Sequence, residues 1–174
     1  FNVIATGNTF GQNDVTFGTY TPSYNGSTQY ATITVKLGNT ILTKDRDYKV
    51  EYSYRDTKGN TVTTQYPKDA RTYSVRVTGI GNYAGSATGG FTIVPVTLDW
   101  AEIVLGSSTV AYNGVYVPKV SVKHKYNNYY FPESDYEVTY RNVNSIYSSY
   151  LKPTAVVTVK EGGNLTTRGS SVQQ

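Results

Sequence analysis

The sequence predicts an all-β protein built from two small antiparallel modules in tandem. Residues 47–52 read DYKVEY, and residues 135–140 read DYEVTY, 88 positions later. In both copies Tyr, Val and Tyr alternate with charged or hydroxyl residues, the pattern of a strand with one buried face. The turn signal Tyr-Asn-Gly occurs at 24–26 and again at 112–114, at the same separation. The repeat therefore divides the chain into modules at 1–94 and 95–174.

Composition indicates how such small modules are stabilised and where they work. The chain of 174 residues contains 18 Tyr, no Cys and no Met, and only 16% of its residues are charged. Tyrosines, with Val and Ile, supply the large side chains that a small core needs, since no disulfide is available. This composition is typical of exported β-rich proteins. We therefore expect a protein that is extracellular, secreted or attached to the cell surface.

Charge distribution narrows the choice of partners. Sixteen basic residues face 12 acidic ones, and the two signs are interspersed along the chain. This mild excess allows attraction to a glycan or an anionic cell-wall polymer, but it gives no argument for nucleic acid. No apolar run approaches the roughly 20 residues of a membrane span. The expected partners are thus neighbouring repeats of the same chain and, for one surface, a glycan or wall polymer.

Further strands follow the repeated motifs. After each Asn-Gly we expect a strand whose inward side chains are Ile33, Val35 and Leu37 in the first copy and Val120 and Val122 in the second. Residues 73–78 match residues 155–160 at a separation of 82, which makes the preceding connection six residues shorter in the second copy. Within that connection, apolar spacing over residues 142–153 is compatible with one or two helical turns.

The order of these motifs carries a resemblance. After the second Val strand, the first copy continues with GIGNYAG at 79–85 and FTI at 91–93. This order resembles the tandem Ig-like repeats, of MBG type, of large bacterial surface and secreted proteins. The resemblance implies two antiparallel Ig-like β-sandwich modules that act as a non-enzymatic stalk, spacer or adhesion module. The second copy departs from the pattern, because residues 161–167 read EGGNLTT.

Residues capable of catalysis are few. His124 is the only histidine and continues the inward set of its strand, so we expect a packed, hydrogen-bonded side chain. Asp135 and Glu137 are two residues apart, yet only the aspartate recurs, as Asp47, which indicates a turn-capping role. Asp45 beside Asp47 gives too few ligands for a calcium site. We expect no enzyme active site, no metal and no cofactor.

Aromatic residues provide the leading hypothesis for a ligand surface. A group of tyrosines and asparagines crowds the loops and strand ends of the second module: Tyr126, Asn127, Asn128, Tyr129, Tyr130, Tyr147 and Tyr150. One interpretation is that the tyrosines fill the core with their hydroxyls at its edge. The other is an exposed platform that stacks on sugar rings, with the asparagines supplying hydrogen bonds.

A second candidate surface is basic, and it completes the list of functional alternatives. Lys119, Lys123 and Lys125 share the outward face of one strand, either as a solvated face or as an attraction for an anionic polymer. The alternative to the stalk or adhesion module is thus a carbohydrate-binding or host-adhesion module using the second module's tyrosines. A third alternative is an accessory domain of a larger glycan-active enzyme.

Overall fold

The computed structural model describes residues 8–112, 115–142 and 154–167. Over these residues the chain forms β-strands and three single-turn 3-10 helices, and no α-helix. This confirms the all-β class. The chain divides into two compact units, one holding the residues up to Pro22 with Ser27–Val94, the other Ser23–Gly26 with the chain from Pro95 onward.

Over its described residues, the first unit contains eight strands in two sheets. The strands are β1 (Thr9–Phe10), β2 (Val15–Phe17), β3 (Ile33–Leu37), β4 (Thr40–Ile41), β5 (Tyr48–Arg55), β6 (Thr61–Thr64), β7 (Arg71–Gly79) and β8 (Ala84–Ile93). One sheet has the order β1-β8-β7-β5-β6 and the other the order β2-β3-β4. Pairing is antiparallel except between β1 and β8, which run parallel.

The core of the first unit is shared by its two sheets. Val15 and Val35 come from the three-stranded sheet, and Phe10, Tyr48 and Val77 come from the five-stranded one, all in one buried cluster. The alternation that the sequence predicts is present in both units. In β5 the Tyr-Val-Tyr positions point inward while the residues between them are exposed.

The second unit contains six strands over its described residues. They are β9 (Val96–Thr97), β10 (Ala101–Tyr112), β11 (Val115–His124), β12 (Tyr136–Arg141), β13 (Thr154–Val159) and β14 (Leu165–Thr166). β10 pairs antiparallel with β11, β12 pairs antiparallel with β13, and β9 pairs parallel with β14. A parallel pair between an early and a late strand, as for β1 and β8, therefore recurs.

Strand register corrects one part of the sequence alignment. Tyr48 pairs with Gly79 in the first unit, and the equivalent Tyr136 pairs with Val159 in the second. The matching strands are thus 80 residues apart and not 82, so the preceding connection is eight residues shorter and not six. A strand pattern repeats every two residues, so a slip of two leaves the inward and outward assignments unchanged. Only the backbone pairing fixes the register. The predicted helical turns at 142–153 lie almost wholly outside the described residues.

Both recurring aspartates stand immediately before a strand and are buried. The Asp47 carboxylate accepts the backbone N–H of Thr43 at 2.7 Å, which confirms the turn-capping prediction. Hydrogen bonds from the Arg46 side chain and from that N–H hold the pKa of Asp47 below its ordinary value. Asp135 differs, because its carboxylate accepts the side-chain amide of Asn164 at 3.0 Å. The buried aspartate thus recurs in both units, but the group that donates a hydrogen bond to its carboxylate differs.

A short segment of the first sequence copy belongs to the second unit. Tyr24, within Ser23–Gly26, is 3% exposed, and its ring lies 5.6 Å from the ring of Tyr129 and 6.0 Å from that of Phe131. The Tyr129 hydroxyl donates a hydrogen bond to the Tyr24 carbonyl oxygen at 2.9 Å. The first Tyr-Asn-Gly is thus not a tight hairpin turn. It lies within the long connection between β2 and β3.

Candidate ligand-binding surface

Two exposed aromatic side chains of the second unit, those of Trp100 and Tyr126, meet where β11 ends. Trp100 closes a single 3-10 turn, Leu98–Trp100, between β9 and β10. Ala101 of β10 pairs with His124 of β11, and the two strands are antiparallel. Trp100, which precedes Ala101, therefore lies beside Lys125, which follows His124. Accordingly, the Lys125 N–H donates to the Trp100 carbonyl at 2.8 Å, and the Lys125 ammonium donates to the Asp99 carbonyl.

His124 holds the loop that follows β11. Its Nδ1 accepts the backbone N–H groups of Tyr126 at 3.2 Å and Asn127 at 3.1 Å. An acceptor at Nδ1 places the proton of the neutral ring on Nε2. The His124 N–H donates to the Tyr129 carbonyl, which closes the loop of residues 125–128. The predicted packed and hydrogen-bonded histidine is therefore present, 8% exposed, and burial lowers its pKa.

Four aromatic rings surround this loop. The Trp100 ring lies 6.5 Å from His124 in a stacked arrangement and 5.4 Å from Tyr126 in an edge arrangement. On the other side, His124 lies 5.1 Å from Tyr129. Trp100 is 52% exposed and Tyr126 is 75% exposed, so both present large apolar surfaces to solvent. The buried histidine fixes the loop that carries one of them.

A cleft of about 410 Å³ opens between these rings and β9. Trp100, His124 and Tyr126 form its aromatic side. The rest of its lining comes from Ser23, Pro95, Val96, Thr97 and Asn127. No lining residue carries a carboxylate or an ammonium group, and the polar atoms available are hydroxyls, amides and backbone groups. The volume falls in the range of small-molecule sites.

The tyrosines and asparagines predicted as a ligand surface occupy three kinds of place. Tyr126 and Asn127 line the cleft. Asn128 and Tyr130 are exposed outside its lining, and Tyr130 bridges to Lys123 of β11. Tyr129 is half-buried under the loop, and burial raises its pKa to about 12. Tyr147 and Tyr150 lie outside the described residues.

Sequence reasoning missed Trp100, the largest side chain of the cleft. Counting back along β10 from the Tyr112–Val115 pair, an unbroken hairpin would place Trp100 opposite Asn127. A bulge between Leu105 and Thr109 shifts the pairing by two residues and brings Trp100 next to Lys125. The only signal in the sequence was that the chain contains a single Trp.

The three lysines of the predicted basic face each have an oxygen partner. Lys119 lies 3.2 Å from the carboxylate of Glu133, and Lys123 lies 3.8 Å from that of Glu102. The Lys125 ammonium donates a hydrogen bond to the backbone carbonyl of Asp99. Two of the three lysines are therefore in ion pairs, and such exposed pairs are worth at most about 1 kcal/mol each.

Groups for metal binding or acid–base chemistry are sparse. Over the described ranges, no three His, Asp or Glu side chains lie close enough to hold a metal ion. Of the candidate carboxylates, Asp135 is buried against Asn164 and Glu137 is exposed. No helix in the described part of the chain has the length and hydrophobicity needed to cross a membrane.

The chain matches no family model, no curated protein and no solved structure.

Proposed function

We propose that the second unit binds a carbohydrate in the cleft that Trp100 and Tyr126 line. The observation that carries this proposal is the exposure of the two rings, at 52% and 75%, along the aromatic side of a cleft with no charged lining. Contiguous exposed apolar surface often marks a binding site, and ligand pockets are typically lined by aromatic side chains with a few polar groups.

The chemistry of a sugar fits this lining. One face of a pyranose ring carries C–H groups that pack on an aromatic ring, while its hydroxyls both donate and accept hydrogen bonds. Trp100 offers the largest apolar surface, and Asn127, Ser23 and Thr97 offer the polar groups around it. Because the lining is uncharged, a neutral sugar is favoured over a polyanion.

The loop is already held in place before a ligand arrives. The two hydrogen bonds to His124 Nδ1 fix the backbone of Tyr126 and Asn127. A ligand therefore does not have to order these residues, and such preorganisation favours affinity.

We propose further that the two units are tandem Ig-like β-sandwich modules of a bacterial surface or secreted protein. The support is the sequence repeat, the two-sheet core of the first unit and the recurring parallel pairs β1–β8 and β9–β14. In this role the chain is a non-enzymatic stalk or adhesion module, and the cleft is its adhesive site.

A glycan array followed by calorimetry tests the carbohydrate proposal. Trp100→Ala and Tyr126→Ala should each weaken binding of a neutral oligosaccharide by at least about tenfold, as expected for aromatic hot spots. Tyr20→Ala is the matched control, because Tyr20 is 75% exposed and lies in the first unit. Unchanged affinity in both cleft variants, or no binding of any oligosaccharide, would refute the proposal.

A further inference from the structure

The first unit has an open backbone edge within its larger sheet. β7 pairs with Tyr48–Ser53 of β5, whereas β6 pairs only with Tyr52–Arg55. Lys44 bridges to Tyr48, so among the described residues 49–51 have no strand partner on the β6 side.

The backbone of Val50 faces this gap. Ile80 N–H donates to the Asp47 carbonyl, so the backbone groups of Asp47 and alternate residues after it point towards β7. The N–H and C=O of Val50 then point the other way, where β6 has already ended. An unpaired donor and acceptor at a concave edge are groups that a ligand can use.

A groove of about 470 Å³ lies over this gap. Two exposed tyrosines line it, Tyr30 at 52% and Tyr66 at 69% exposure. The Tyr30 ring is held by Tyr52, 5.9 Å away, and by the Lys44 ammonium, 5.4 Å from its centroid. The Tyr66 N–H donates to the Thr64 hydroxyl, which fixes the turn after β6.

Charge in the groove is balanced. Lys44 and Lys49 face Asp45 and Glu51, and Lys49 lies 3.7 Å from the Glu51 carboxylate. The net charge of these four side chains is zero, which disfavours a polyanion. Their donors and acceptors, with those of Val50, suit a ligand rich in hydroxyls.

We propose that this groove is a second carbohydrate-binding site, which takes a short neutral oligosaccharide packed against Tyr66. An extended peptide added to β5 is a poorer occupant, because only Val50 offers it a backbone donor and acceptor, or about two hydrogen bonds. A sugar uses the side chains as well. The proposal rests on residues of the first unit alone and does not depend on the Trp100 cleft.

Amide NMR of the whole chain tests the proposal. The probes are mannotetraose, laminaritetraose and chitotetraose, with a sulfated heparin tetrasaccharide and an acetylated Thr-Val pentapeptide as competitors. At least one neutral tetrasaccharide should shift the amide signals of Val50 and Tyr66, with saturation. Tyr66→Ala should weaken this binding at least fivefold and leave any shifts at Tyr126 unchanged, whereas Tyr20→Ala should change neither.

Three outcomes overturn the inference. They are an absence of shifts at Val50 with every neutral probe, an unchanged affinity in Tyr66→Ala, and saturation of these amides only by the peptide or the sulfated sugar. If Val50 shifts but Tyr126 does not, the second site stands while the proposed function of the Trp100 cleft fails. The reverse pattern removes the second site and leaves the cleft.

Discussion

Replacing Tyr24 by alanine should destabilise the second unit, although Tyr24 lies in the first sequence copy. Its side chain is 3% exposed and contacts the rings of Tyr129 and Phe131. Truncating a buried aromatic side chain to alanine costs about 3–5 kcal/mol. For a unit of this size, each 1 kcal/mol lowers the melting temperature by about 4–8 °C. The variant should therefore lower the melting temperature of the second unit by at least about 10 °C.

Residue-resolved hydrogen exchange separates the two units in one experiment. Amide protection should fall in β11 and β12, while β5 and β7 keep the protection of the wild-type chain. Tyr24→Phe retains the ring and should cost no more than one hydrogen bond, about 1.5 kcal/mol. Tyr20→Ala, at a 75% exposed position, should change stability by less than about 0.5 kcal/mol.

The opposite pattern would refute the assignment of Ser23–Gly26 to the second unit. If protection fell in β5 and β7 and stayed unchanged in β11 and β12, Tyr24 would stabilise its own copy. The packing of Tyr24 on Tyr129 would then contribute nothing measurable to the stability of the second unit.

Two further predictions concern the pH dependence of stability and the replacement of glycines that have positive φ. Burial lowers the folded-state pKa of His124, so the unfolded chain binds the proton more readily, and stability should fall as pH drops below about 6.5. Fluorescence of Trp100, the single tryptophan, should report this change between pH 7.5 and 5, and a change that persists in His124→Asn would contradict the assignment. Gly85→Ala should destabilise the first unit by at least about 2 kcal/mol, because the residue has φ +98° and the added carbon would overlap the Phe10 carbonyl oxygen. Gly59→Ala is the control, because Gly59 has φ +82° and an added carbon there meets no other atom, so only backbone strain remains. This variant should lose about 1 kcal/mol of stability in thermal unfolding. Equal losses of stability in the two variants would contradict the predicted overlap with Phe10.

The sequence was sufficient for the fold class because inward and outward residues alternate along strands such as β3 and β5. The inward residues of β3 and β5 and the packed His124 follow directly from a period of two. A repeat of two residues does not fix the register, however. The sequence comparison matches β7, which pairs with β5, to β13, which pairs with β12, at a separation that is two residues too large. Long-range pairing, which decides the register, leaves no local trace in the sequence.

The candidate site was only partly accessible for a related reason. Tyr126 and Asn127 belong to the tyrosine-rich stretch that composition alone singles out. Trp100 joins them because a bulge in β10 changes which residue lies beside Lys125. Ser23 joins them because its segment is part of the second unit, and no property of residues 23–26 themselves predicts this.

The loop of the cleft also shows why a constant repeat separation misleads. The N–H of Leu42 donates to the carbonyl of Val35 in the first unit, and the N–H of Phe131 donates to that of Val122 in the second. These bonds close connections of seven and nine residue steps, so the second copy carries two extra residues in the loop that presents Tyr126. The second copy is one residue shorter before Val122 and one residue shorter after Phe131. These two deletions offset the insertion, so the motifs on either side remain 88 positions apart. Repeated strands can keep their core positions while the loop between them lengthens, since loops at the surface tolerate insertion. The insertion therefore makes this loop two residues longer in the second unit, and the longer loop carries the exposed Tyr126 ring beside Trp100.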